Sequence, residues 1–368
     1  MPDLINDTTN NPSDFYGWAR FPETSERIPY GRFRNLYLYI TEKCELRCGH
    51  CYMGDRLDRA LDMPYKTVCN SLMFWRQMGS SKLTILGGEA TLHKEFEKIL
   101  EYAYKCGYEK IILTTNGLRN SRKRLSLIHP SIFAYVQVSL DGASSKTHDI
   151  IRGHGKFKET LETIRILCEA GFEVRIICTV NNLNIHESLN LLSIADEIGV
   201  TLVKFHVFSG IGSGRKNDDW IVEPYEWINF YKRLEQEKGK WKTQIWYQPT
   251  YTLRSDMDKF VEQGYQGCIG RTMDRISVFP DGKAYICSYL FDTNLNFFNI
   301  CDGSISINRK ENEFELFMKV LNTPACTNFE VNNACHGGCP AEEVVIGKSP
   351  SNIYNDIVSV CRLWKSNI

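Results

Sequence analysis

The chain has 368 residues, enough to bury a full core and to form one large domain with a smaller one. Lysine plus arginine equals aspartate plus glutamate at 44 each, for a formal charge of zero, which argues against the basic footprint of a nucleic-acid binder. Fourteen cysteines are the unusual number; with no signal-like basic and apolar run at Met1-Pro2-Asp3-Leu4-Ile5-Asn6-Asp7 and no bilayer-length apolar stretch, metal binding in a cytoplasmic chain is expected over a disulfide framework.

Residues 1–35 are polar and lack periodicity, and read as an extended arm with a short helix near Asp14–Arg20. Six β-rich segments follow: Leu36–Ile40, Leu83–Leu86, Ile111–Thr114, Tyr135–Leu140, Val174–Val180 and Leu202–Phe208. Helical spacing of apolar residues marks Glu95–Cys106 and Lys158–Ala170, with Gly107 and Gly171 where each should stop. A strand–helix rhythm repeated six times predicts an α/β fold with a parallel sheet and right-handed crossovers. Periodicity does not choose between an open doubly wound sheet and a complete or partial barrel; in both, functional groups gather at the C-terminal ends of the strands. The rhythm stops after a helix around Tyr225–Lys240. A linker is expected over 242–264 and a smaller cysteine-rich domain over 265–368, where Ile276–Pro280 and Ala284–Ser288 flank an Asp281-Gly282 hairpin turn.

The first cysteine cluster, Cys44-Glu-Leu-Arg-Cys48-Gly-His-Cys51, lies directly after the first strand. Three thiolates in one short loop can face a common point, which suits an iron–sulfur cluster or zinc. A structural zinc needs four ligands, which His50 could complete; a four-iron cluster held by three cysteines keeps one iron open.

This CxxxCxxC segment resembles the signature of the radical S-adenosylmethionine (SAM) superfamily, and the resemblance continues at later strand ends. Gly87-Gly88-Glu89 is similar to the family's GGE motif at the SAM amino group, and Asn116 lies in a matching Thr115-Asn116-Gly117 segment. Ser139 and Asp141 match the fourth-strand position that reaches SAM, and Arg152-Gly153 the pair that can neutralise its carboxylate. Gly212, in Gly210-Ile211-Gly212-Ser213-Gly214, is placed where backbone can approach adenine. Members often carry an aromatic residue where His50 stands. The resemblance implies a partial (β/α)6 TIM-like barrel, a [4Fe–4S] cluster on Cys44, Cys48 and Cys51, and SAM at its open iron. Taken singly, a Gly-Gly-Glu or an Asn-Gly is a turn and Arg152 a surface charge; order and placement at successive strand ends carry the resemblance.

In the C-terminal part, Cys268, Gly282 with Cys287, then Cys326, Cys335, Cys339 and Cys361 resemble the SPASM pattern, which carries auxiliary four-iron clusters. Position by position, Cys268, Cys287 and Cys339 would serve one cluster and Cys326, Cys335 and Cys361 a second. Phe329 stands where the pattern has another cysteine, and Cys301 is unassigned. One or two auxiliary clusters are expected. Cys69, Cys106, Cys168 and Cys178 fall within helical or strand patterns and read as small buried hydrophobes.

The resemblance implies reductive cleavage of SAM to a 5′-deoxyadenosyl radical and hydrogen abstraction from a substrate C–H bond, with an electron donor such as flavodoxin or ferredoxin as partner. A ribosomal peptide precursor is the expected substrate and a sugar, nucleoside or amino-acid derivative the alternative. No nucleic-acid or membrane partner is expected. An iron–sulfur electron carrier or a zinc-stabilised module would explain the cysteines but not the other motifs in register.

Overall fold

The computed structural model describes residues 33–247, 249–262, 273–291, 293–301, 304–308, 312–313 and 356–359. The helix expected near Asp14–Arg20 lies outside them. The six predicted segments are parallel strands: β1 (Asn35–Tyr39), β2 (Lys82–Leu86), β3 (Lys110–Thr115), β4 (Tyr135–Ser139), β5 (Val174–Val180) and β6 (Leu202–Val207). They pair in chain order and begin and end within one residue of the sequence reading.

Helices make the crossovers. α1 (Arg56–Arg59) and α2 (Tyr65–Gln77) join β1 to β2, α3 (Phe96–Lys105) leads to β3 and α4 (Arg119–Leu125) to β4. α5 (Ser145–Arg152) and α6 (Lys156–Glu169) lead to β5, α7 (Leu191–Ile198) to β6, and α8 (Pro224–Glu237) follows β6. Gly107 and Gly171, just beyond α3 and α6, take φ of +76° and +85°, the left-handed stop that only glycine adopts without strain.

The stretch read as a linker carries a seventh parallel strand, β7 (Gln244–Tyr247), beside β6, then β8 (Tyr251–Leu253) and α9 (Met257–Glu262). The sequence reading missed β7 because it is four residues long and follows a charged turn, Lys238–Lys242. The expected hairpin forms as β9 (Arg275–Val278) and β10 (Lys283–Tyr285), turning through Gly282 at φ +77°. β9 pairs in parallel with β1, and β11 (Phe298–Cys301) and β12 (Ser304–Ile307) extend the same sheet beyond β10. β13 (Ile357–Ser359) pairs with β8. Among the described residues the large sheet has eleven strands in the order 12-11-10-9-1-2-3-4-5-6-7, an open sheet rather than a closed barrel.

The sheet has two unlike faces. Leu36, Leu38, Leu83, Ile85, Leu113, Val136, Val138, Ile176, Val180 and Val203 alternate along the strands and are buried in the core under the helices. Registered on the other face are Tyr37, Thr84, Thr114, Gln137, Arg175, Lys204, Trp246 and Ser277. That face is concave. In a flat sheet Arg275 on β9 would stand six strand spacings from Lys204 on β6, about 29 Å away. Instead Arg275, Tyr37 and Lys82 lie close enough to alter the ionisation of Lys204. Ile112, Ile177 and Leu202 share this face, so the cup mixes polar and aromatic side chains with a few aliphatic ones, unlike the packed aliphatic layers that fill an ordinary (β/α)8 barrel.

Trp75 on α2 is fully buried and meets Phe33 and Phe298 edge-on at 5.5 and 5.4 Å, joining the first strand's approach to β11. Trp75→Ala should cost about 3–5 kcal/mol, read as a lower urea midpoint with β11 and the barrel helices losing protection together in hydrogen exchange. Separate loss of the two regions would contradict a continuous sheet.

Candidate functional site

The cysteine loop begins at Cys44, five residues beyond the end of β1. Thr41 Oγ1 donates to Asp62 Oδ1 at 2.6 Å and Lys43 Nζ pairs with Asp62 Oδ2 at 2.6 Å, fixing the exit of the strand. The loop closes through tight turns, Cys51 N to Cys48 O and Gly54 N to Cys51 O, both 3.1 Å. Leu46 N donates to Cys44 Sγ at 3.4 Å. Cys48, Leu46 and Leu118 form a small apolar cluster, with Cys44 and Cys51 against it.

Neighbouring strand exits seat this loop by backbone contact. Gly88 N donates to Thr41 O at 2.8 Å and Glu89 N to Lys43 O at 2.7 Å. A methyl on Gly87 would lie 2.4 Å from Thr41 O, and one on Gly88 2.4 Å from Lys43 O. After β6, Gly212 adopts φ +56°, where a methyl would lie 2.5 Å from Cys51 O and from Tyr52 O; Ser213 N donates to Cys51 O at 2.9 Å. Gly212 thus spends its backbone approach on the cysteine loop. Asn217 Nδ2 reaches Gly49 O at 2.8 Å, and Gly49 N donates to Ile151 O at 3.0 Å.

The polar residues expected around SAM are brought to the same rim. Asp141, fully buried after β4, accepts from Thr179 N at 2.7 Å and pairs with Arg152. His50 Nε2 stands 3.2 Å from Asp141 Oδ2 and 3.4 Å from Arg152 Nη2, and Arg152 Nη1 lies 3.9 Å from Cys48 Sγ. Burial alone would raise the Asp141 carboxyl, yet the guanidinium of Arg152 and the neighbouring His50 hold it well below the usual carboxylate range. Arg152 is thereby engaged inside the protein and buttresses the loop through Cys48 and His50. Glu89 is buried and accepts from Thr91 Oγ1 at 2.7 Å, Thr115 Oγ1 at 2.9 Å and Asn116 N at 2.7 Å, tying the exits of β2 and β3 together. Burial pushes its carboxyl up to about 7 despite these donors. Asn116 Oδ1 accepts from Leu118 N at 3.0 Å, leaving Nδ2 buried without a partner; Ser139 ends β4 beside Ile177, half-buried.

The donor set, three cysteine sulfurs in one loop, suits an iron–sulfur cluster. Burial pushes the thiols of Cys44 and Cys48 up to about 12 and about 11, and that of Cys51 upward, so a cationic centre is needed to hold them as thiolates. Among the described residues no three His, Cys, Asp or Glu side chains converge closely enough to share one metal ion. The unpartnered Asn116 Nδ2 is a donor waiting at the rim of the same loop.

Of the C-terminal cysteines, Cys287 is buried at the exit of β10, its amide donating to Glu313 Oε2 at 3.1 Å. Cys268, Cys326, Cys335, Cys339 and Cys361 lie outside the described residues, as does Phe329. Cys69, Cys106, Cys168 and Cys178 are free thiols buried or half-buried in helices, a helix cap and a strand, consistent with packing roles.

Residues 38–194 match the family model described as the radical SAM superfamily. These residues are a radical SAM domain. Such a domain holds a [4Fe–4S] cluster and SAM, and the chain is an enzyme of that kind. A probable GTP 3′,8-cyclase of Saccharolobus solfataricus is 26% identical over 295 residues, covering 77% of this chain and 92% of its own. An AdoMet-dependent heme synthase of Methanosarcina barkeri is 28% identical, covering 68% of this chain and 75% of its own. The antilisterial bacteriocin subtilosin biosynthesis protein AlbA of Bacillus subtilis is 28% identical over 50% of this chain and 41% of its own. In fold, the chain is similar to Streptococcus suis SuiB bound to precursor peptide SuiA, with TM-score 0.66 at 15% identity over 84% of this chain and 72% of that one. It is also similar to native anSMEcpe with bound AdoMet, with TM-score 0.64 at 17% identity over 85% of this chain and 92% of that one.

Lys204, His206 and Trp246 on the concave face were not singled out from sequence; the signal was polar alternation, Lys204-Phe205-His206, inside an otherwise apolar strand.

Two outcomes test the site. Arg152→Ala leaves the buried Asp141 carboxylate without its guanidinium and should cost about 3–5 kcal/mol, much of it recovered in Arg152→Met/Asp141→Asn; equal stability of the single and double variants in urea would refute the pairing. Glu89 has its folded ionisation raised to about 7, so its contribution is full below about pH 4.3, the unfolded value, and is lost as pH rises through 7. Glu89→Gln should therefore gain stability relative to wild type between pH 5 and pH 8, and a pH-independent difference would show that the carboxyl is already ionised.

Proposed function

We propose that this radical SAM enzyme modifies a peptide, using Cys44, Cys48 and Cys51 to hold the cluster. The observation that carries the site assignment is the cysteine loop, seated against the exits of β2, β4 and β6 with its three cysteines packed around one small apolar cluster, Cys48 buried and Cys44 and Cys51 half-buried. When bound, a reduced cluster of this kind supplies one electron to SAM, splitting it into methionine and a 5′-deoxyadenosyl radical that removes hydrogen from a substrate C–H bond. Asn116 Nδ2 and the Ser139 hydroxyl are the side-chain groups for SAM, with backbone from Gly87, Gly88 and Glu89. Asp141, Arg152 and His50 hold the loop, and Gly212 closes it from the side of β6. Roofing the cup with this loop keeps water from a reactive radical.

Peptide modification is supported by the likeness to AlbA, named for biosynthesis of a bacteriocin, and by the fold shared with SuiB, which was solved with a precursor peptide. A small-molecule substrate is the second reading, favoured by the GTP cyclase and heme synthase likenesses, which span more of the chain. The C-terminal cysteines Cys268, Cys287, Cys326, Cys335, Cys339 and Cys361 would hold one or two auxiliary clusters, and residues 265–368 would be their domain. A flavodoxin or ferredoxin would be the electron donor, and the cytoplasm the setting; no described helix is long and apolar enough to cross a membrane.

The chain reconstituted anaerobically with iron and sulfide should release 5′-deoxyadenosine from SAM in the presence of dithionite, and Cys48→Ala should abolish it. Adding short peptides encoded beside the gene should shift a peptide mass, whereas GTP should be unchanged. Release retained in Cys48→Ala would sink the cluster assignment, and conversion of GTP with no peptide shift would replace the substrate reading.

A further inference from the structure

The concave face holds more polar groups than the cluster loop uses. Lys204 points from the middle of β6 into the cup, 4.3 Å above the Trp246 ring, and among the described residues it has no hydrogen-bond acceptor and no acidic partner. A ring face contributes about 0.5–2 kcal/mol to a cation but satisfies none of the three donors of an ammonium group, and burying a charge without partners is costly. Two further atoms on this face are buried and unpartnered: His206 Nε2, whose ring lies 5.9 Å from Trp246, and Ser277 Oγ on β9. The charges nearest Lys204 are mostly of its own sign, Lys82, Arg275 and Arg175, with Tyr37 the one acidic hydroxyl among them. Arg175 is balanced by Glu173 at 2.6 Å and lies over the Tyr135 ring at 3.7 Å; Arg275 lies over Tyr37 at 5.1 Å. Burial, reinforced by these cations, pushes the Lys204 ammonium down to about 8, the mark of a positive group lacking its counter-ion.

We propose that Lys204 is the anchor for a carboxylate of the substrate, received inside the cup with Trp246 and His206 beside it. This deepens the peptide reading above and rests on it. Cations gathered on one wall repel a basic ligand, and the flanking aromatic rings accept the apolar stem of an acidic side chain or of a C-terminal residue. Lys204 lies three residues below the exit of β6, about 10 Å beneath the rim. A carboxylate held there works as a measuring rod, leaving the carbon that reacts about one extended side chain higher, under the cysteine loop. Substrate choice would then depend on the distance between an acidic group and the C–H bond to be broken.

Lysine footprinting by reductive methylation of the anaerobically reconstituted full chain, read by peptide mass spectrometry, tests this directly. Glutarate should slow labelling of Lys204 by about tenfold once it exceeds its Kd about tenfold, while neutral N-acetylglutamine and inorganic phosphate leave it unchanged. Lys204→Arg should retain glutarate binding in calorimetry and Lys204→Gln should weaken it by about tenfold or more. Equal labelling with and without glutarate would overturn the proposal. Protection by phosphate alone would replace the carboxylate with a phosphate ester, and protection by SAM alone would assign the lysine to the cofactor; either result overturns it. Because the readout needs no turnover, protection without 5′-deoxyadenosine release would leave the anchor standing while removing the radical reading, and release without protection would do the reverse.

Discussion

The exclusion of side chains from the floor beneath Cys44–Gly54 is the constraint on which the site depends. A loop carrying three thiols must keep them fixed while something large binds above it. Here fixation comes from backbone lying on backbone: the β2 exit against Thr41–Lys43, and the β6 exit against Cys51 and Tyr52. Gly87, Gly88 and Gly212 serve by having no Cβ where one would collide with a carbonyl oxygen. Motifs that look like ligand contacts in the sequence are thus first of all contacts with the loop.

The charged groups divide along the same line. Asp141, Arg152 and His50 form a buried knot that neutralises itself and braces Cys48, and Glu89 satisfies donors from two neighbouring strand exits. These residues organise the rim. Deeper in the cup the balance is reversed, because Lys204 meets the Trp246 ring rather than an acid and has the cations Lys82 and Arg175 on its side. A rim that is internally compensated above an interior that is not gives the cup a direction for an incoming anion.

The six parallel strands were legible because each is a short β-rich run between helical segments, and β1–β6 end within a residue of where that pattern put them. The cysteine loop and the rim residues were legible because strand ends gather them. What the sequence did not show follows from tertiary pairing. The strand at Gln244–Tyr247 is short and polar at its start, and only the free edge of β6 makes it a strand. The sequence places Arg152 at the SAM carboxylate, and what it does not show is the pairing with Asp141 that the fold adds. Lys204 was invisible as a site residue, since which face of a strand is concave is decided by curvature and not by alternation.

The parallel seam between β1 and β9 has a consequence for how the protein is made. Asn35 and Arg275 are partners across 240 residues of chain, so the strand that carries the cysteine loop emerges from the ribosome early and has a raw edge until β9 has been synthesised. Contacts of such long range close slowly, and an unpaired strand edge invites misassociation. The scaffold of the metal loop is among the first parts of the sheet to be translated and among the last to have both its edges paired.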